Sequence, residues 1–357
     1  MAGRPFVTAS ADRAAGTLPR MNEQRPARVV VVGAGHVGAT FAYALLLSGL
    51  AAEIVLVDVD RKRAEGEAMD LAHAVPFAPA TRIWAGEYSD CAGAAVTVIA
   101  AGPGQRPGES RLDLARRNAT IVGDIALRVA RENAAGIIVV ATNPVDVLTH
   151  TAWRVSGLPR ERVFGSGTIL DTGRFRALLA EHLGVDARSV HALIVGEHGD
   201  SEVPVWSLAN VAGMNLAAFG ELVGASVDGV VRDELFRRTR DAAYTIIERK
   251  GATFFAVSAG LVRIVEAILR DQKTVLSVSS VVDGPYGLRD LALSLPTIIG
   301  RGGVERVLEL PLDLGELEGL RRSASVLRGV IDGLDVPGLH RGSSRRPSTD
   351  SLGADDQ

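Results

Sequence analysis

The sequence predicts an α/β fold: an N-terminal doubly wound parallel sheet over residues 28–166, then an α+β domain over residues 167–336. Three observations lead there. Short β-branched runs alternate with helix-like stretches in the first half. A glycine fingerprint sits directly after the first run. Beyond residue 167 the alternation gives way to long helical stretches and then to a strand-rich one.

The strands come first. Val29–Val32, Ile54–Val57, Val96–Ala101 and Ile137–Ala141 are short apolar runs bounded by turn or helix signals. Parallel strands buried on both faces have this character. Helices are expected between them, over 37–49, 61–74, 111–133 and 145–156. The second half predicts a helix over 169–184, a strand over Val190–Val195, and a helical zone over 228–270 broken near Gly251. A strand-rich stretch over 273–311 and a last helix over 313–333 complete it. Val257, Leu261, Ile264 and Ile268 repeat at spacings of 4, 3 and 4, one apolar stripe assigned to core.

At 357 residues the chain is long enough for two domains. A formal net charge of −3 argues against nucleic acid as a partner. The single cysteine, Cys91, excludes a disulfide framework and a cysteine-based metal site. No apolar stretch is long enough to span a membrane. Residues 1–27 are basic, poor in acid and without apolar periodicity. They read as a disordered extension, as a transit-like segment, or as sequence upstream of a true start at Met21. Residues 337–357 read as a disordered tail.

Gly33-Ala34-Gly35-His36-Val37-Gly38 fits G-x-G-x-x-G between a strand and a helix, the Rossmann context that gives the motif meaning. Gly33 permits the tight turn, Gly35 lets backbone approach a pyrophosphate, and Gly38 lets helix pack on strand. The free N–H groups of the helix start then face the phosphates. Asp58, 20 residues after Gly38, is placed to accept from the ribose hydroxyls of NAD. Arg61, Lys62 and Arg63 follow, as a solvated helix face or as cations that tolerate NADP.

Five further segments carry chemistry. Ala101 to Arg111 is a Gly- and Pro-rich loop after a strand end, suited to a lid. Thr142-Asn143-Pro144-Val145-Asp146 follows another strand. Leu170-Asp171-Thr172-Gly173-Arg174-Phe175-Arg176 puts Asp171 and Arg174 on one helix face, as a pocket pair or an intrahelical ion pair. Lys250-Gly251-Ala252-Thr253 breaks the helical zone. In Gly196-Glu197-His198-Gly199-Asp200-Ser201-Glu202 the glycines make helix unfavourable, so the segment reads as a turn presenting one imidazole. Such a group is a natural proton donor to a carbonyl.

With these motifs the chain, from about Arg28 to Leu334, resembles the L-lactate/malate dehydrogenase family, most of all its bacterial L-lactate dehydrogenase branch. The resemblance implies the following roles. His198 is the acid–base group and Asp171 binds its far ring nitrogen. Arg174 grips the substrate carboxylate with a bidentate fork. Arg111 enters with the lid and polarises the carbonyl. Asn143 hydrogen-bonds the substrate oxygen near the nicotinamide, and Thr253 adds a hydroxyl to the substrate pocket. Gly102, Pro103 and Thr142 border the cofactor channel, Val37 packs near the pyrophosphate turn, and Tyr88 and Arg63 border the adenosine end. NAD supplies the hydride, so no metal is needed.

Gln105, six residues before Arg111, stands where the family's malate dehydrogenases carry arginine. A neutral glutamine fits the methyl of pyruvate and leaves a second carboxylate unpaired. Pyruvate and L-lactate are therefore the expected substrates, with oxaloacetate or bulkier 2-oxo acids as alternatives; Arg106 would serve a dicarboxylate only after a one-residue shift. The bacterial branch also implies a cytoplasmic homotetramer and activation by fructose 1,6-bisphosphate at Arg176 and His191. A non-catalytic NAD-binding scaffold is disfavoured because His198, Asp171 and Arg174 are all present.

Overall fold

The computed structural model describes residues 27–104 and 111–334. The first half runs β1 (Arg28–Val32), α1 (His36–Ser48), β2 (Glu53–Val57), α2 (Arg61–Ala74), β3 (Arg82–Ala85), β4 (Val96–Ile99), α3 (Arg111–Glu132), β5 (Ile137–Val140), α4 (Val145–Ser156) and β6 (Val163–Gly165). These six strands pair in parallel in the order 3-2-1-4-5-6. The order reverses between β1 and β4, which opens a ligand crevice at the carboxyl ends of those strands.

The second half continues with α5 (Ile169–Leu183), β7 (Val190–His191), β8 (Ile194–Val195), β9 (Val203–Pro204), β10 (Asn210–Val211), β11 (Met214–Asn215), α6 (Leu216–Val223), α7 (Gly229–Lys250) and α8 (Phe255–Leu269). It ends with β12 (Thr274–Asp283), β13 (Arg289–Gly300), β14 (Gly303–Val307) and α9 (Leu314–Asp332). The last three strands are antiparallel and extend the first sheet beyond β6, with Ser279 opposite Gly165. The result is one nine-stranded sheet shared by both halves, not two separate ones.

Strand alternation divides the core. Val29 and Val31 pack with Phe41, Leu45 and the α8 stripe Val257, Leu261, Ile264 and Ile268 on one face. Val30 and Val32 pack with Ala119, Val122 and Leu148 on the other. The predicted stripe is thus core, and the Ser258 hydroxyl ties α8 to the Val37 carbonyl of α1 at 3.3 Å. A third cluster around Phe175, Leu179, Ile194 and Phe219 fixes α5 against the small strands.

Three features depart from the sequence expectation. β3 and β6 carry no long apolar run: Arg82-Ile83-Trp84-Ala85 is a half-buried edge strand, and β6 has only three residues. Val190–Val195 is two strands, because β7 pairs with β10 and β8 with β9. The small β9–β11 elements and α6 lie where no element is expected from the pattern.

Gly38 sets the closest approach of α1 to the sheet. A Cβ there would lie 1.8 Å from the Gly33 carbonyl oxygen. Gly38→Ala therefore forces α1 outward. Urea unfolding should show a loss of about 1–3 kcal/mol, the cost of overpacking, together with weaker NADH binding.

Candidate active site

The crevice at the reversal point forms a cavity of about 650 Å³ lined by Gly33, Gly35, Asp58, Arg63, Tyr88, Gly102 and Pro103, with Ile121 and Arg128 from α3. Gly33 holds φ at +106°, and a Cβ on it would strike the Ala101 nitrogen at 2.5 Å. Gly35 has open space where its Cβ would be. It caps α1 without a side-chain hydrogen bond, so the helix N–H groups stay available. Asp58 accepts from Ala34 N–H at 2.6 Å, which fixes its carboxylate beside the glycine turn. A glycine cradle, a bare helix start and a strand-end carboxylate fit a dinucleotide. Thr142 donates to the Ala101 carbonyl at 2.8 Å, locking together the two loops at this end. Val37 is half-buried and Gly38 buried at the start of α1.

A second cavity, of about 270 Å³, lies beyond and is lined by Asn143, Asp171, Arg174, His198 and Glu202. His198 reaches it because Gly196, at φ +89°, turns the chain out of β8 while bonding Ser294 in both directions, at 2.8 and 2.9 Å. Asp171 is brought opposite by stitches at the start of α5. Thr168 donates to the Ile194 carbonyl at 2.6 Å, and Thr172 accepts from Ile194 N–H at 3.0 Å. The helix carrying Asp171 is thereby pinned to the strand that leads to His198.

His198 Nδ1 donates to Asp171 Oδ2 at 2.5 Å, and Arg174 donates to Asp171 Oδ1 at 3.0 Å. Asp171 is 2 % exposed, so both contacts act in a low dielectric. The backbone N–H of His198 donates to Asp146 Oδ2 at 2.7 Å. Glu197 N–H donates to Ser323 of α9 at 2.7 Å, buttressing the turn from behind. With Nδ1 held by Asp171, Nε2 is the nitrogen left to face the cavity.

The charges follow. Burial opposes an imidazolium at His198, but the charge and hydrogen bond of Asp171, helped by Asp146 and Glu202, outweigh it and lift the group to about 9. Burial likewise opposes a charged Asp171, and His198 with Arg174 hold its carboxyl below the usual range. Burial pushes Asp146 up to about 6, against the His198 N–H bond that lowers it.

Most of the expected residues gather at these two cavities. Asn143 also accepts on its carbonyl from Asn118 at 2.8 Å. Thr253 lies in the connection between α7 and α8 and is half-buried. Arg176 donates to the Ala192 carbonyl at 2.8 Å, beside the exposed His191. Gln105 lies outside the described residues; Arg111 heads α3, but its side chain lies outside them. Sequence reasoning gave no role to Asp146, Thr168, Thr172, Ser294 or Ser323. Asp146, inside the Thr142–Asp146 motif, and Thr172, inside the Leu170–Arg176 motif, carried a signal; the other three did not.

A family model described as lactate/malate dehydrogenase, NAD binding domain, matches residues 27–165. A second, lactate/malate dehydrogenase, alpha/beta C-terminal domain, matches residues 168–334. The chain belongs to the lactate/malate dehydrogenase family. It is an NAD-dependent oxidoreductase of that family. An L-lactate dehydrogenase of Thermoanaerobacter sp. strain X514 is 48% identical over 309 residues, 87% of this chain and 99% of that one. An L-lactate dehydrogenase of Priestia megaterium is 48% identical over 305 residues, 85% of this chain and 96% of that one. The crystal structure of a lactate dehydrogenase from a Medee basin deep-sea metagenome library superposes with a TM-score of 0.84 at 41% identity. That match covers 87% of this chain and 99% of that chain.

An NMR titration of His198 should give a midpoint near 9, the value its surroundings impose. Asp171→Asn removes the counter-charge and leaves the burial, so the midpoint should fall below about 6.5, the ordinary histidine value. Because His198 is raised and Asp171 lowered in the fold, the pair stabilises it fully between about pH 4 and about pH 6.5. That stabilisation should fade as the pH climbs through about 9.

Proposed function

We propose that this enzyme is an L-lactate dehydrogenase, reducing pyruvate to L-lactate with NADH and running in reverse with NAD. The observation that carries the reading is the Asp171–His198–Arg174 arrangement beside a dinucleotide crevice. Arg174 presents a cation to the substrate carboxylate from the wall of the cavity. His198, an imidazolium at neutral pH, offers its Nε2–H to the keto oxygen. As that oxygen gains charge the proton crosses, and Asp171 stabilises the imidazole in the tautomer that remains. In the oxidative direction neutral Nε2 takes the hydroxyl proton. NADH held in the crevice by Gly33, Gly35 and Asp58 would supply the hydride. Asn143 at the cavity wall donates to the same oxygen, and the family resemblance gives Arg111 the part of polarising it.

Pyruvate is favoured over oxaloacetate by Gln105, which offers a second carboxylate no cation. The names of the relatives support the same substrate. Activation by fructose 1,6-bisphosphate at Arg176 and His191 is part of the proposal, supported by the Arg176 bond to the carbonyl of Ala192, the residue after His191. So is assembly into a homotetramer, supported by exposed apolar side chains such as Tyr43, Leu47, Met69 and Phe77, and so is the cytoplasmic location that the family resemblance implies.

Steady-state assays with NADH test this. kcat/KM should be far higher for pyruvate than for oxaloacetate, and Gln105→Arg should reverse the order; a wild-type preference for oxaloacetate would overturn the substrate. Arg174→Ala should raise the pyruvate KM by about 30-fold or more, since losing a buried charge contact costs about 2–5 kcal/mol. The bisphosphate should shift the pyruvate saturation curve to lower concentration, and an unmoved curve would remove the activator.

A further inference from the structure

Of the three acids on the histidine turn, none of which has a task in the steps above, only Glu202 is buried. Glu202 is 6 % exposed, and among the described residues its buried Oε1 has no hydrogen-bond partner. Its side chain nevertheless lines the same cavity as His198 and Arg174. An ionised carboxylate in that position is costly, because no donor among the described residues replaces the water that Oε1 has lost. Asp171, at a similar depth, escapes this through an imidazolium and a guanidinium.

The groups that bear on Glu202 come from several elements. From α5, Asp171 repels a charge at Glu202 and Arg174 attracts it; His198 on the turn and Arg240 on α7 also attract it. Glu197 and Asp200 on the turn and Tyr244 on α7 share the cavity wall, and Asp146 of α4 lies behind His198. Among the described residues α9 adds only Val326 and Val330 to the lining. Burial first, then the charge of Asp171, push the Glu202 carboxyl up to about 8.

We propose that Glu202 works as an uncharged acid in the wall of the substrate cavity, leaving the Arg174 guanidinium to the substrate carboxylate, and that loss of its proton closes the cavity to anionic substrates. Arg174 already shares its charge with Asp171. A second carboxylate at Glu202 competes with the incoming substrate for the remainder. Binding an anion at alkaline pH therefore requires two protons, one on His198 and one on Glu202, and these titrate as a coupled pair. The inference rests on the pyruvate reading only for its choice of ligand.

The test uses the full chain with NADH, and oxamate as a 2-oxo acid analogue that is not turned over. Binding is read from NADH fluorescence, and proton uptake from an indicator in weak buffer. Oxamate should bind at about pH 6.5, where both groups hold their protons; absence of binding there would remove the substrate reading and this inference with it. At about pH 9.5 the wild type should take up more than one proton per site, with affinity falling by up to about 100-fold per pH unit. Glu202→Gln should take up no more than one, with a fall of about tenfold per unit. A wild-type uptake of one proton or fewer, or an equal count in Glu202→Gln, would overturn the proposal. Should the variant fail to fold, the wild-type count alone decides.

Discussion

One buried carboxylate governs this site. Asp171 accepts from His198 on one oxygen and from Arg174 on the other, with almost no access to water. Ionised and alone at that depth, it would be strongly unfavourable; flanked by two cations, it is held below the ordinary carboxylate range. The same charge lifts His198 to about 9, so the imidazole enters the reaction already protonated at neutral pH. The charges of Asp171 and His198 therefore depend on each other, with Arg174 supplying the carboxylate a second cation.

The rest of the fold serves to hold that carboxylate still. β6 ends where α5 begins, so Asp171 sits in the first turn of a helix rooted in the central sheet. Thr168, Thr172 and Ser294 then sew this turn to β8 and β13. Gly196 swings His198 back over it, and Ser323 of α9 closes the turn from behind. The antiparallel strands β12–β14 join the parallel sheet directly, so substrate residues and the cofactor crevice share one rigid support. Pre-organisation of this kind lets a site act on developing charge without first rearranging.

Much of this was legible in the sequence, and the reasons for the remainder are physical. The glycine fingerprint and the β-branched runs announce the first half because both are local signals. β3 and β6 leave little trace, since a short edge strand and a three-residue strand need few apolar residues. The break between β7 and β8 is invisible in Val190–Val195, because it is caused by different pairing partners far along the chain. His198, Asp171 and Arg174 stand out as residue types in motifs. The roles of Asp146 and of the threonine and serine stitches do not, even for Asp146 and Thr172 inside named motifs, because they lie in contacts across long sequence separations. Glu202 was visible beside the histidine, but only its burial and its unpartnered oxygen set it apart from Glu197, which bonds Ser201.

The central claim is that His198 and Asp171 act as one unit. A double-mutant cycle measures this directly: kcat for pyruvate reduction in the wild type, Asp171→Asn, His198→Gln and the double variant. Each single change should cost about 10³–10⁴-fold, as for other carboxylate–histidine pairs. The double variant should be little worse than the weaker single one, because the second change removes a partner that has already lost its function. Losses that multiply would show that the two residues act independently and would contradict the account.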